Sequence, residues 1–444
     1  MKRIKLIFAS LLLTTAITAQ QKPQQWNLKS CIDYALTNNI QVKQSLITYK
    51  SGIEDTKQAK AQFTPTLSAS SSQSFSRRAA AKNSLSTGIA SSSGSYTGNY
   101  SLGANWTIFA GGERYYNLKQ SKLTNTIQEL AIEEAKNNIE LQITQVYLQL
   151  LYAHETVKIN ENTVAVSKVQ LDRSKALLAA GSVSKTDVAQ LESQYSTDKY
   201  QLVAAQATLE ETKLQLKQLL ELDINEDMNL SYAELGDEEV LQLLPAKAEI
   251  YQIALQSLPE IKSMDLSIKS AKIGVNKAKA GYLPTVGLNA SMGTGTASAS
   301  TNSFSTQING NFNQSMGFSL NIPILNQRST TTAVKKAKLQ IEQSELELQS
   351  AQKDLLKSIE TAYQAAISYQ NRYASALENV KYVESSNELI QEQFNLGMKN
   401  TLELLTEKNN LVNAQQEMVQ AKYMTIMNLQ LLNFYQNKPI QINE

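Results

Sequence analysis

Two periods of hydrophobicity divide this chain, and each predicts its own kind of element. Glu113 to Leu178 contains neither Gly nor Pro, and Ile143, Leu150, Val157, Val164, Leu171 and Leu178 recur every seventh residue. A strict seven-residue apolar period predicts helices wound around neighbours in a left-handed supercoil. One helix of this length would run ~100 Å at ~1.5 Å per residue. A later stretch carries two columns. One is Ile341, Leu348, Leu355, Ala362, Tyr369, Ala376, Val383 and Ile390; the other is Ile359, Ala366, Tyr373, Val380, then Asn387 and Phe394. Two columns on one helix predict a neighbour on each side, as in a ring of helices. Shorter helices are expected from about Asn27 to Phe63 and from about Ser184 to Leu222. Laid end to end they match one long helix. Leu191, Leu202, Leu209 and Leu216 carry the seam of the second, with polar interruptions at Asp198 and Thr212 that a water-lined interior would tolerate.

Between the helices the period falls to two, the signature of strands with unlike faces. From Tyr96 to Phe109 the even positions are apolar or aromatic (Tyr100, Leu102, Trp106, Ile108) and the odd ones small or polar. Ile308 to Ile322 alternates in the same way through Phe312, Met316, Phe318 and Leu320, against Asn309, Asn311, Asn313, Ser315, Ser319 and Asn321. Val286, Leu288, Ala290 and Met292 mark a third strand, and the stretch from Thr66 to Ser76 a weaker one. The expected strands are about 66–76, 96–109, 284–294 and 308–322. A tilted strand needs ~9–11 residues to cross a bilayer. A soluble sheet with one wet face would alternate too; an export leader, aromatic strand ends and an Asn/Ser face favour a barrel wall with lipid outside and water inside. The stretches 77–95 and 294–307, rich in Ser, Ala, Gly and Thr, are expected to be flexible surface loops. Four strands cannot close a barrel, because open edges in lipid leave backbone polar groups unpaired, and the smallest closed barrels take about eight strands. The chain is therefore expected to assemble with copies of itself.

The whole arrangement occurs twice. Ala59-Lys60-Ala61-Gln62-Phe63-Thr64-Pro65-Thr66-Leu67 aligns with Ala278-Lys279-Ala280-Gly281-Tyr282-Leu283-Pro284-Thr285-Val286, Tyr147 with Tyr363, and Gly181 with Gly397. The predicted organisation is a signal peptide over 1–19, a first repeat over 20–222, an acidic connecting segment over 223–247, a second repeat over 248–436 and a tail over 437–444.

Composition narrows the picture. In 444 residues the net charge is +2, which gives no nucleic-acid footprint, and the scarcity of Gly (17) and Pro (7) suits long helices. Lys2, Arg3 and Lys5 precede a short apolar run from Leu6 to Ile17 and small residues near Ala19, the pattern of a cleaved secretory leader. The single cysteine, Cys31, lies in an amphipathic pattern with Leu28, Ile32 and Leu36 and is expected to be a small buried apolar group. The single histidine, His154, sits within a long helix, where neither a metal nor a catalytic role is expected. With no phosphate-cradling Gly loop and no nucleophilic constellation, the chain is expected to be neither an enzyme nor a cofactor binder. The acidic segment after Asp223 reads as a solvated linker.

This order of elements, duplicated after a leader, resembles the TolC-like outer-membrane efflux proteins over nearly the whole mature chain. The most specific match is at the two helical turns: Gly181-Ser182-Val183-Ser184-Lys185-Thr186-Asp187-Val188 and Gly397-Met398-Lys399-Asn400-Thr401-Leu402-Glu403-Leu404. The resemblance implies a homotrimer. Its mixed fold would join a twelve-stranded transmembrane β-barrel, four strands per chain, to a long α-helical coiled-coil barrel in the periplasm. It implies tips that close the tunnel at rest and dock a periplasmic adaptor, with an inner-membrane pump behind it. Leu178, Gly181, Ser182, Leu396, Gly397 and Lys399 would then meet the adaptor. Glu403 matches the first acidic constriction of the family; the second position is Thr406 here, and Asp187 holds the equivalent offset in the first turn, where simple helix N-terminal charge also explains it. The implied function is a passive outer-membrane outlet for small molecules. A type I protein-secretion outlet is the alternative within transport, and a coiled-coil surface protein or adhesin the alternative of another class.

Overall fold

The computed structural model describes residues 25–77, 94–226, 228–232, 236–298 and 300–442. The leader over 1–19, nearly all of the loop expected at 77–95, and Asp227 and Glu234 of the acidic segment lie outside the described residues. Helices α1 (Leu28–Asn38) and α2 (Ile40–Ala61) lead into β1 (Thr66–Arg77) and β2 (Gly94–Ala110), followed by α3 (Glu113–Ala179) and α4 (Lys185–Leu219). After a connection holding the one-turn α5 (Asp237–Val240) the order returns: α6 (Lys247–Ser257), α7 (Pro259–Lys279), β3 (Thr285–Ala297), the short α8 (Phe304–Gly310), β4 (Asn313–Asn321), α9 (Ser329–Asn395) and α10 (Thr401–Tyr435).

The expected single helix from Asn27 to Phe63 is two. Asn39 adopts an extended conformation (ψ 137°), its side chain accepting from the Gln41 amide and donating to the Leu219 carbonyl. The second copy breaks at the equivalent place, where Leu258 precedes Pro259. A residue before proline is pushed out of the helical region, and proline is well suited to the first helical position. The first copy achieves the same break with an asparagine cap and no proline, so its sequence reads as continuous.

The four strands form one antiparallel sheet in the order β1-β2-β3-β4. Directly opposed residues share a face. Leu102 stands between Ala69 and Met292, Leu288 between Trp106 and Phe318, and Val286 opposes Leu320. The other face is small and hydroxylated: Ser70 bonds Ser101 (2.7 Å), Ser74 bonds Thr97 (2.8 Å) and Ser291 bonds Ser315 (2.9 Å). Two expectations change. A bulge between Thr107 and Phe109 makes Phe109, rather than Ile108, the partner of Val286 on the apolar face. The fourth strand begins at Asn313, because Ser303 caps a helical turn by accepting from the Thr306 amide and the chain stays helical through Gly310. The predicted loop at 294–307 is correspondingly shorter, since β3 runs to Ala297. No helix among the described residues is long and apolar enough to cross a membrane.

Below the sheet the helices keep the order of the strands, α2, α3, α7, α9. Further down, α4 continues the column of α1 and α2 along α3, and α10 continues that of α6 and α7 between α3 and α9. At the first of these joints Leu216 and Leu220 are fully buried among Cys31, Ile139, Ile143, Tyr147 and Leu150. At the second, Leu432 packs with Ile250, Ala254 and Ile359. Each buried Leu or Ile among them contributes about 1.5–3 kcal/mol relative to exposure. Cys31 is completely buried, as expected, and burial pushes its thiol pKa up to about 12.

The acidic segment is a packed belt rather than a solvated linker. Leu230 and Val240 are buried, and Trp26 pairs in parallel with Leu230. The Tyr147 hydroxyl donates to the Ser231 carbonyl (2.7 Å), the Tyr373 hydroxyl donates to Asp237, and Tyr232 stacks on His154 at 3.7 Å. The sparse apolar residues of the segment carry this packing, and its charge hides them in the sequence.

Sheet and helices join through Gly111, whose φ of +60° few other residues adopt and whose Cβ position lies 2.4 Å from the Ala280 carbonyl oxygen. Gly111→Ala is expected to strain the junction by more than the ~1 kcal/mol of backbone conformation alone, because the obstacle is backbone of the second repeat. Gly181→Ala, with open space around its Cβ position, should show that smaller cost only. Comparative urea or thermal unfolding of the two variants checks this; equal losses would contradict it.

Candidate functional site at the helical tips

The candidate site is the end of the helices farthest from the sheet, where α3 turns into α4 and α9 into α10. Both turns are built alike. At the first, Gly181 (φ +77°) ends α3; its amide bonds the Leu178 carbonyl, and the Ser182 amide bonds that of Leu177, both at 2.9 Å. At the second, Gly397 (φ +73°) and Met398 repeat the pattern on Phe394 and Gln393. This is the left-handed helix stop that glycine provides.

Each following helix starts with a reciprocal cap. Ser184 accepts from the Asp187 amide (3.1 Å), and the Asp187 carboxylate accepts from the Ser184 amide and hydroxyl (3.2 and 2.7 Å). Asn400 accepts from the Glu403 amide (2.9 Å) while Glu403 accepts from the Asn400 amide (3.1 Å). Two further contacts distinguish the turns. The Thr401 hydroxyl donates to Asp187 at 3.0 Å, tying the two tips together. Lys399 donates to Glu403 at 2.5 Å. The Ser184 hydroxyl, then that of Thr401, holds the Asp187 carboxyl below its usual range, and Lys399 does the same for Glu403.

The sequence-predicted residues fall into two groups. Gly181, Ser182, Leu396 and Gly397 are exposed on the tips, with Leu396 74% exposed beside Met398 and Leu402. Leu178, by contrast, packs with Val183, Tyr195 and Leu405 over a core of Leu171, Val188 and Leu191. Lys399 is occupied by Glu403, and the exposed Thr406 turns its hydroxyl back to the Leu402 carbonyl (2.8 Å). Glu403 therefore reaches the tip as half of an ion pair rather than as a bare acid.

A second feature escaped the sequence reading. Up to Val157 the buried seam of α3 is apolar apart from Thr144; beyond it the buried positions are Asn160, Thr163, Ser167, Gln170 and Ser174, with Leu171 the one apolar side chain among them. At the centre of this polar seam Lys408 of α10 reaches Asp198 of α4 and Ser167 of α3, all buried, and Gln194 donates to Asp198 at 2.8 Å. Burial pushes the Lys408 ammonium's pKa down, and Asp198 opposes that shift. Asp198 thus interrupts the seam because it meets a buried cation, and Thr212 donates to its own helix at Thr208 (2.8 Å) in a buried position; the expected water-lined interior is absent at both. The available signal was a charge on a seam position in each of two helices, Asp198 and Lys408, but nothing in the sequence pairs positions 210 residues apart.

The family model described as outer membrane efflux protein matches residues 31–221 and 250–435, covering both repeats. The outer membrane efflux protein BepC of Brucella suis is 25% identical over 342 residues, spanning 76% of this chain and 72% of BepC. The outer membrane protein TolC of Escherichia coli is 24% identical over 318 residues, 68% of this chain and 62% of TolC. Crystal structures of CusC, described as concerning folding and transmembrane channel formation, superpose with a TM-score of 0.77 at 17% identity, covering 93% of this chain and 92% of CusC.

The buried charges give a sharp expectation. Removing one partner, as in Asp198→Ala, leaves a buried ammonium and should cost about 3–5 kcal/mol, whereas Asp198→Leu combined with Lys408→Met should cost little or stabilise. Chemical unfolding of the single and double variants checks this; a double variant as unstable as the single ones would contradict it.

Proposed function

Because the chain belongs to the outer membrane efflux protein family, we propose that three copies assemble into the outer-membrane outlet of a tripartite exporter, whose tips meet a periplasmic adaptor that links them to an inner-membrane pump. The chain is an outer-membrane efflux channel protein with its helical part in the periplasm. The observation that carries the assembly is the sheet. It presents one apolar and one hydroxylated face and leaves β1 and β4 each with an unpaired edge. Three such sheets give a twelve-stranded wall wide enough for a water-filled lumen, with lipid on the Leu102, Leu288 and Phe318 side.

In this reading the duct is passive and energy comes from the pump. The repeats 20–222 and 248–436 supply alternate pairs of helical columns, and the 223–247 belt binds them at mid-height. The exposed Gly181, Ser182, Leu396 and Gly397 turns offer the adaptor its footing, with Lys399 beside them. The Asp187–Thr401 bond supports a resting state in which the two hairpins of a protomer are held together. Three copies of Glu403, each balanced by Lys399, would converge near the closed end. Removing the acid would leave three unbalanced Lys399 ammonium groups there, which repel cations.

Single-channel recording of the purified oligomer in planar bilayers tests this. Glu403→Ala should reduce cation preference and cation block, and Thr401→Ala should raise conductance by freeing Asp187. Unchanged conductance and block in Glu403→Ala would remove the constriction role; an oligomer that forms no channels at all would overturn the outlet reading.

A further inference from the structure

Charge is unevenly distributed along the helices, and the excess lies against the sheet. The last twelve residues of α2 hold Lys50, Lys57 and Lys60 against Glu54 and Asp55. The first twelve of α3 hold Arg114, Lys119 and Lys122 against Glu113. The last twelve of α7 hold Lys269, Lys272, Lys277 and Lys279, and the first twelve of α9 hold Lys335, Lys336 and Lys338, with no acid in either. Thirteen cations thus meet three anions in a chain whose net charge is only +2. All but Arg114 and Lys277 are exposed. Among the described residues, Lys57–Glu54 (2.8 Å) and Lys272–Glu345 (3.9 Å) are the ion pairs these cations make.

The side of the wall that several of them occupy follows from helix geometry. A cleft on the polar face of the sheet, at Thr66, Asn105 and Thr107, continues onto the helices through Gln58, Gln62, Arg114 and Asn117. Those residues mark the lumen side. At 3.6 residues per turn, Lys119 and Lys122 stand ~160° and ~140° around α3 from Asn117, and Lys60 stands ~160° around α2 from Gln58. Lys277 donates to Asn117 (2.7 Å), and Lys279 stands ~160° from it around α7. Lys60, Lys119, Lys122 and Lys279 therefore lie on the outer side, the side of the apolar strand face. Tyr115, 59% exposed, shares that side of α3, and Trp106 on the apolar strand face donates its indole N–H to the Phe63 carbonyl (2.9 Å). Such aromatics mark a membrane–water boundary. Lys119 is six residues into α3, ~9 Å along the axis, within about one Debye length of that boundary at physiological salt.

We propose that this basic collar binds the anionic headgroups of phospholipids in the leaflet that faces the helices, fixing the depth at which the barrel sits. The proposal rests on the sheet spanning the membrane and adds the lipid class that the protein selects. Juxtamembrane lysines attract anionic lipid through the surface potential, and that attraction is screened by salt. Cations turned toward the lumen would act on cargo instead; the four on the outer side have lipid as their neighbour.

The test uses the full-length oligomer in mixed micelles containing equal phosphatidylglycerol and phosphatidylethanolamine, with retained lipids counted by native mass spectrometry. The expected result is phosphatidylglycerol retained over phosphatidylethanolamine by about fivefold at low salt, falling toward parity at high salt. The variant carrying Lys60→Gln, Lys119→Gln, Lys122→Gln and Lys279→Gln should lose the preference, and the corresponding four-arginine variant should keep it. Equal retention of both lipids by the unaltered protein overturns the proposal, as does a glutamine variant that keeps the preference. So does a glutamine variant with unchanged lipid retention but altered ion selectivity in bilayers, which would assign the collar to the lumen. Should the glutamine variant fail to assemble, the headgroup and salt preference of the unaltered protein decides. Channel formation in planar bilayers is scored separately, so loss of lipid preference with intact channels sinks the collar and leaves the outlet standing.

Discussion

Backbone hydrogen bonding in lipid is the constraint on which this structure depends. A sheet whose apolar face meets hydrocarbon can leave no edge open, since each unpaired amide or carbonyl there costs several kcal/mol. Here β1 and β4 are both edges within the chain. In the proposed assembly copies of the sheet complete one another, and the helical columns follow the same circle because their order repeats that of the strands. The duplicated sequence meets the demand economically: two copies of one strand-pair-and-hairpin design give four strands above and four columns below.

Cohesion is graded along the columns. Around Ile143, Tyr147, Leu150 and Leu216 the first hairpin is held by a fully buried apolar core and by the belt that crosses it at Ser231 and Tyr232. Toward the tip the seam of α3 becomes mostly polar, the Gln170 amide oxygen and the Ser174 hydroxyl have no partner among the described residues, and a buried ion pair joins a smaller apolar cluster at Leu171, Val188 and Leu191. Such a pair adds little net stability against an apolar equivalent but penalises any displacement that separates it. The lower half is thus held by a small apolar cluster around Leu171, Val188 and Leu191 together with specific contacts, Lys408 with Asp198 and Thr401 with Asp187.

What was legible in the sequence followed from periodicity. The seven-residue columns placed α3 and α9, whose length and freedom from Gly and Pro leave no competing reading, and the glycine six residues before each acid, Gly181 before Asp187 and Gly397 before Glu403, placed the tips. Period two identified the sheet but not its irregularities. The bulge that exchanges Ile108 for Phe109 and the helical turn at 304–310 both come from local hydrogen bonding that polarity does not encode. The acidic belt was misread because seven acids without a basic partner look solvated. Its anchors, Leu230, Tyr232 and Val240, are few, and contacts far apart in sequence fix them. The Lys408–Asp198 pair was invisible for the same reason.

The central claim is that identical chains complete the sheet edge to edge. It is tested most directly by paired cysteines, one scanned along β1 and one along β4, in a Cys31→Ser background, with oxidation of the native membranes followed by denaturing electrophoresis. The account predicts disulfide bonds between chains at alternate positions of one register, with products ending at a closed trimer. Absence of any such register, together with a mature chain that stays monomeric and soluble without detergent, would contradict it.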